Sequence, residues 1–131
     1  MKYADLDFTY EPIVIARINP IEPSEQQFEA YLQDLTKVAK EMKNGVLVFQ
    51  ISNAKFLPSE KRIKIGNWIK THTEIMKKNM CGVCYINTSF LPMTILKGIL
   101  LVNKPPVPYT VMGSESEGIA WAKERMAGRP H

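Results

Sequence analysis

The stretch that decides the fold spans residues 44–80 and reads NGVLVFQISNAKFLPSEKRIKIGNWIKTHTEIMKKNM. Residues 46–51 form an apolar, largely β-branched run, which is typical of a buried strand. A short loop at 52–58 follows and ends in Pro58, and a helical pattern opens at Ser59. This stretch predicts a central strand, a strand-to-helix crossing and a helix that lies on the sheet. In α/β folds such a crossing is a usual place for a site.

The helical pattern after Pro58 has one apolar face. At 100° per residue, one arc of about 120° contains six side chains: Ile65, Trp68, Ile69, His72, Ile75 and Met76. A lone histidine on such a face is more often a packed core residue than a catalyst, and no nucleophile is placed by sequence to work with it. Ser59 is predicted to be the N-cap of this helix, because serine caps helices well.

The rest of the chain alternates strand and helix patterns. Capping boxes of the S-x-x-Q and S-x-x-E type, at Ser24 and Ser114, predict the starts of two further helices. Predicted strands lie at 7–10, 13–18, 82–87 and 109–112. Besides the helix that opens at Ser59, one helix is predicted after residue 24, one at 92–103 and one at 119–126. Gly128 is the predicted terminator of the last one. This order predicts a single α/β domain over residues 1–131, with a mostly parallel sheet and about four covering helices.

Composition limits the class of protein. The chain has 131 residues, 45% hydrophobic and 23% charged, which are ordinary values for one globular domain. A net charge of +4 comes from dispersed lysines with acids between them, so a nucleic-acid partner is not expected. No signal peptide and no membrane-spanning run is present in the sequence, and there are two cysteines. We therefore expect a cytoplasmic protein with no integral membrane segment.

The two cysteines form a C-x-x-C motif, which raises a thiol redox enzyme as one hypothesis. Cys81 and Cys84 run into a predicted strand, where Cα atoms three residues apart lie about 10 Å from each other, beyond disulfide reach. A zinc site would need a second pair of ligands, and His72 and His131 are unsuitably spaced. The interpretation is two small buried side chains, with no metal and no cofactor.

The pattern resembles the SpoIIAA-like, or STAS, domain family. The resemblance covers nearly the whole chain in element order, and its sharpest part is residues 48–59. In anti-sigma-factor antagonists of that family, the central strand leads into a loop of the type F-M-D-S-S-G-L-G. Its first serine, at the helix start, is phosphorylated by a partner kinase. The similar segment here is F-L-P-S, so the resemblance places Ser59 at the phosphorylated position, with Pro58 where the family has aspartate.

The predicted third helix has almost no polar face. Residues 90–102 are apolar except for a few positions, so one side of that helix needs a covering surface beyond the sheet. Leu96, Ile99 and Leu100 are therefore candidate contact residues. The covering surface would come from another protomer, a partner protein or an apolar ligand; the alternative is an unusually apolar helix beneath the loop at Pro105 and Pro106.

These observations favour a non-enzymatic regulatory module that binds a protein partner of unknown identity and forms a homodimer or another homo-oligomer. Ser59 is the candidate phosphorylation or switch position. The remaining candidate partner-binding residues lie in the loop and the helix start: Lys55, Phe56, Leu57, Glu60 and Lys61. The alternative is a STAS-like carrier of an apolar ligand or lipid, with its pocket between the third helix and the sheet.

Overall fold

The computed structural model describes residues 1–87 and 104–128 and contains a five-stranded sheet. The strands are β1 (Ala4–Tyr10), β2 (Ile13–Ile18), β3 (Gly45–Gln50), β4 (Met80–Ile86) and β5 (Tyr109–Met112), in spatial order β1-β2-β3-β4-β5. Only β1 pairs antiparallel, and the other three pairings are parallel. The prediction of a mostly parallel α/β sheet is confirmed. β3, the predicted central strand, is third of five.

Four helices are found in the described residues: α1 (Glu25–Glu41), α2 (Ser59–Thr71), α3 (Thr73–Asn79) and α4 (Glu115–Gly128). The capping box that opens α1 is confirmed, because the Gln27 amide donates to Ser24 Oγ and the Ser24 amide donates to Gln27 Oε1. At α4 the Glu117 amide donates to Ser114 Oγ at 3.2 Å. The predicted third helix, with Leu96, Ile99 and Leu100, lies outside the described residues.

The helical pattern after Pro58 is interrupted at His72, whereas the sequence predicted one continuous helix. His72 has φ −107° and ψ 13°, outside helical values. Thr71 Oγ1, His72 Nδ1 and Thr73 Oγ1 each lie within hydrogen-bond distance of the carbonyl oxygen four residues earlier, at 2.9, 2.7 and 2.8 Å. Side chains that bond to helix carbonyls in this way bend helices. Three in succession give the break a physical cause.

The sheet has two differently built faces. The first, which we call the α1–α2 face, packs a large aromatic and aliphatic core against the helices, and its buried members include Phe28, Tyr31, Leu35, Leu47, Trp68 and Val83. The second, which we call the α4 face, is covered by α4 and contains mainly small or branched side chains: Ile13, Ile15, Val46, Val48, Cys84, Ile86 and Ala122.

Close approach of backbone and side chains characterises the α4 face. A Cβ on Gly82 would lie 2.7 Å from the Trp121 ring, and a Cβ on Gly118 would lie 2.5 Å from the Ile86 side chain. Both distances are shorter than real Cβ contacts. Glycine at these two positions lets α4 rest directly on β4.

Both cysteines lie in β4, which begins two residues before the predicted strand 82–87 and so includes Cys81. The thiols of Cys81 and Cys84 are both buried. Cys81 Sγ donates to the Gly45 carbonyl at 3.3 Å, and burial raises the pKa of the Cys84 thiol to about 11. A thiol kept protonated in this way is a poor nucleophile, which argues against a redox role.

Candidate functional site

The loop between β3 and α2 follows the carboxyl end of the central strand, where neighbouring parallel strands also end. The Ile51 amide donates to the Ile86 carbonyl at the end of β4 at 3.0 Å. Within the loop, the Ser52 amide donates to Gln50 Oε1 at 2.9 Å, and the Ala54 amide donates to the Ile51 carbonyl at 3.1 Å. These bonds attach the start of the loop to the carboxyl ends of β3 and β4.

The start of α2 differs from the prediction. Pro58 is the N-cap residue, and no side chain makes a capping hydrogen bond there. Ser59 is the first helical residue, so its hydroxyl does not act as the predicted cap. Its Oγ instead accepts from Arg62 Nη2 at 3.0 Å, one turn along the helix. The Pro58 carbonyl accepts the first helical hydrogen bonds, from the amides of Lys61 and Arg62.

Two large apolar side chains, one before and one after Ser59 in the sequence, are exposed to solvent. Phe56 is 60% exposed and Ile63 is 61% exposed. The Arg62 guanidinium lies 4.9 Å from the centroid of the Phe56 ring, within cation–π range. The α2 contact surface is defined here as the exposed residues of this region: Lys55, Phe56, Ser59, Glu60 and Ile63.

Two of the predicted partner-binding residues are placed differently. Leu57 is buried at 5% exposure in the α1–α2 face, and Lys61 is buried at 8%. Lys61 Nζ lies 3.7 Å from Glu60 Oε1 and 6.0 Å from the centroid of the Phe28 ring. Neither Leu57 nor Lys61 offers much area to a partner.

Ile63 was missed by sequence reasoning, although a signal for it exists. At 100° per residue it lies about 140° from Trp68, well off the apolar arc of the helix. An isoleucine on the polar side of an amphipathic helix is an exposed apolar residue, and that pattern could have found it.

A cavity of about 120 Å³ lies beneath the loop, between the sheet and α2. Its walls come from the sheet, the helices and the loop itself. The described lining residues are Tyr3, Ile18, Tyr31, Leu35, Leu47, Phe49, Ile51, Ala54, Lys55, Leu57, Ile65, Trp68, Ile69, Met76, Val83, Tyr85 and Pro105. Three of these lining residues are tyrosines, which are far apart in sequence and come together only in the fold.

The tyrosines of this cavity remain neutral over the physiological pH range. Burial raises the pKa of Tyr3 to about 12. It also raises the pKa of Tyr31 and Tyr85, with smaller contributions at Tyr31 from Tyr3 and Tyr85. The cavity therefore presents aromatic rings and uncharged hydroxyls.

A metal site is not formed by the described residues. In residues 1–87 and 104–128, no three His, Cys, Asp or Glu side chains are grouped so that they could hold an ion. In the same part of the chain, no helix is long and apolar enough to cross a bilayer.

Comparisons with known proteins identify the fold. No protein-family model matches the chain, and no curated protein matches its sequence. Three solved structures superpose over most of it. The first is the anti-sigma factor antagonist SpoIIAA in its unphosphorylated form, with a TM-score of 0.63, 10% identity and coverage of 98% of this chain and 99% of that one. The chain has the SpoIIAA-like fold.

Two further structures agree. An uncharacterised protein from Shewanella loihica PV-4 with a SpoIIAA-like fold superposes with a TM-score of 0.62 at 12% identity, over 91% of each chain. An anti-sigma factor antagonist from Mycobacterium paratuberculosis superposes with a TM-score of 0.58 at 12% identity, over 92% of each chain. Such identities establish the architecture, and they leave the function to be argued from the site.

Within this SpoIIAA-like fold, a polar network joins the strand ends to α4. Arg17 at the end of β2 donates to both carboxylate oxygens of Glu115, at 3.1 and 2.8 Å, and to Asp7 Oδ2 at 2.8 Å. Gln50 donates to Glu115 Oε2 at 3.1 Å, which links the base of the loop to the network. Hydrogen bonds from Thr9 and then Arg17 lower the pKa of Asp7 to about 2, and Arg17 lowers the pKa of Glu115.

Proposed function

We propose that this chain is a non-enzymatic regulatory module that binds a protein partner through the α2 contact surface. The observation that carries the proposal is the pair of exposed side chains, Phe56 and Ile63, beside the start of α2. The fold adds support, since two of the similar structures are anti-sigma factor antagonists.

Energetics favour burial of these two side chains in a complex. Removing a Phe or Ile side chain from water is worth roughly 1.5–3 kcal/mol. Aromatic and arginine side chains are enriched among the residues that dominate interface energies, and Phe56 already lies against the Arg62 guanidinium. Lys55 and Glu60 are exposed and lie close to Phe56 and Ile63 in the sequence, and charged residues of this kind are typical of an interface rim.

Ser59 is the proposed switch of this surface. Its hydroxyl is on an exposed residue at the first position of α2 and 3.0 Å from Arg62 Nη2. A phosphate there would add about −1.5 to −2 charges beside the positive end of the helix and the guanidinium. It would draw Arg62 away from Phe56 and so alter the contact surface itself.

Site-specific photo-crosslinking tests the proposal directly. A photoreactive phenylalanine analogue replaces Phe56 in one variant and Phe8 in the control variant, since Phe8 is 49% exposed on the edge strand β1. We expect a crosslinked product from position 56 in cells and none from position 8. A product of twice the chain mass would show the proposed homodimer, and a heavier product of another mass would show a distinct partner. Equal products from both positions, or none from position 56, would count against the surface.

The switch has its own test. Ser59→Asp is expected to weaken or strengthen the position-56 crosslink relative to wild type, whereas Ser59→Ala leaves it unchanged. Unchanged crosslinking in Ser59→Asp would rule out regulation by charge at this position and leave the contact surface standing.

A second candidate function is a carrier or sensor of an apolar ligand or lipid. The cavity beneath the loop favours it. Nearly every described lining residue is apolar or aromatic, which is the usual chemistry of a small-molecule site. This function does not depend on the contact surface, and it is tested separately below. In either case we expect the chain to act in the cytoplasm.

A further inference from the structure

We infer that the cavity between the sheet and α2 binds one small, uncharged, apolar molecule, either a single aromatic ring or the end of a short alkyl chain. The inference rests on the second candidate function and narrows its ligand. It is independent of the partner surface around Phe56.

The size of the cavity sets the size of the ligand. Its volume is about 120 Å³. An apolar protein cavity of about 150 Å³ binds benzene, so this one accepts about one ring. A longer acyl chain would have to extend out of the cavity past Lys55, so the volume favours a single ring or a chain end.

The walls select for an apolar molecule. Phe49 and Tyr85 stack at 5.5 Å on neighbouring strands and form a flat aromatic floor. Above them, Trp68 donates its indole N–H to Thr36 Oγ1 at 2.9 Å, so its polar edge is already bonded. What Trp68 offers to the cavity is ring surface, which suits a flat apolar ligand.

Charge is confined to the edge of the site. Lys55 is the only charged side chain among the described lining residues, and it is exposed. A buried anion would therefore lack a buried cation to offset its desolvation. The neutral tyrosines add no charge that would attract an ionic ligand.

The loop forms one wall of the site and connects it to the surface. Ile51, Ala54 and Leu57 line the cavity, and Phe56 on the same loop faces solvent. A molecule in the cavity contacts the inner side of the segment whose outer side carries the contact surface.

Tryptophan fluorescence and NMR test the inference with three probes. The chain has two tryptophans, and Trp121 lies on the α4 face, so Trp121→Phe leaves Trp68 as the only reporter. Toluene is expected to change the emission of Trp68 and to shift the methyl resonances of Leu47 and Val83 in the wild-type protein. At about ten times its Kd, toluene should raise Tm by about 5 °C. Benzoate and decanoate are the comparison probes, and both should bind at least tenfold more weakly.

A matched pair of variants locates the binding. Ala54→Phe places a ring in the cavity, and Ala120→Phe places the same ring on the exposed side of α4. Toluene affinity should fall at least tenfold in Ala54→Phe and stay unchanged in Ala120→Phe. If Ala54→Phe does not fold, the wild-type methyl shifts still decide the question.

Each of the other possible outcomes would refute one part of the inference. Benzoate binding as tight as toluene would refute the uncharged ligand, and decanoate binding without toluene would refute the size limit while leaving the carrier function. If no probe shifts the Leu47 and Val83 methyls, both the inference and the carrier function are wrong. The crosslinking experiment would still decide, independently, whether the α2 contact surface binds a partner.

Discussion

The two faces of the sheet are packed in opposite ways. On the α4 face, Gly82 and Gly118 let a helix approach so closely that a single added carbon would collide with Trp121 or Ile86. On the α1–α2 face, large aromatic side chains leave a cavity of about 120 Å³ under a loop that carries exposed Phe56. This pocket is partly open to solvent at its edge, where exposed Lys55 lines it, whereas the α4 face is filled by close contacts.

The comparison sets a densely packed face against the face that carries the proposed contact surface. On the α4 face, the Arg17–Glu115 bonds join α4 to the strand ends. The α1–α2 face combines the larger buried core with a pocket, a loop and exposed Phe56 and Ile63. An exposed apolar pair does not stabilise the monomer, so it is where we propose that a partner binds.

Thiol reactivity gives the largest expected effect. Burial raises the pKa of Cys84 to about 11, so at pH 7 only about one thiol in ten thousand is ionised, against a few per cent for a free cysteine. We expect a thiol reagent to modify Cys84 in the native protein on the order of a hundredfold more slowly than Cys84 in the urea-unfolded protein. Fast reaction of the folded chain would show that the α4 face opens readily, and a disulfide between Cys81 and Cys84 would refute the strand geometry.

A matched pair of substitutions compares the two faces directly. Val48 and Val83 are both buried on neighbouring strands, but Val48 faces α4 and Val83 lines the cavity. Val48→Ile should lower the free energy of unfolding by about 1–3 kcal/mol, because it overfills a dense core. Val83→Ile should leave it unchanged or raise it by up to about 0.8 kcal/mol, the value of one buried methylene. Urea unfolding measures both free energies. An equal loss of stability in the two variants would show that the two faces are packed alike.

Acid sensitivity should come from the network that holds the strand ends. Because the folded pKa of Asp7 is lowered to about 2 from an ordinary value near 3.9, its contribution to stability is present above about pH 4 and is lost as the pH falls to about 2. Asp7→Asn should flatten that part of the stability–pH curve. An NMR titration of Asp7 with a midpoint near 4 would contradict its hydrogen bonds from Thr9 and Arg17.

The smallest effect is expected at the start of α2. Since Ser59 makes no capping bond, Ser59→Ala should change the free energy of unfolding by less than about 0.5 kcal/mol. Ser24→Ala is the control, because Ser24 does cap α1, and it should cost about 1 kcal/mol. Equal losses would mean that the helix start at Ser59 serves stability after all.

Sequence patterns predicted the sheet and most helices because those depend on local signals. The alternation of strands and helices, and the capping boxes at Ser24 and Ser114, are visible within a few residues of chain. The break at His72 was missed because it arises from three successive side chains bonding to carbonyls, which competes with the helical ladder. The cap at Ser59 was misassigned by one position, since Pro58 occupies the N-cap.

The candidate site was only partly visible in the sequence. The loop position and Phe56 followed from the strand-to-helix crossing, but the inward placement of Leu57 and Lys61 depends on tertiary packing. The cavity brings together Tyr3, Tyr31 and residues of β3 and β4. These residues are far apart in the sequence, so no local pattern predicts that they line one site. The contact role predicted for Leu96, Ile99 and Leu100 remains a prediction.

High-pressure NMR tests the central claim most directly, namely that the α4 face is densely packed and the α1–α2 face holds an apolar pocket. Pressure favours states that eliminate internal void volume, so residues around a cavity respond first. The methyl shifts of Leu47, Val83 and Ile65 should change with strong curvature as pressure rises, while those of Val46, Val48 and Ile86 should change linearly and little. Equal curvature on both faces, or larger curvature at Val46 and Val48, would contradict the contrast between a densely packed α4 face and an α1–α2 face that holds a pocket.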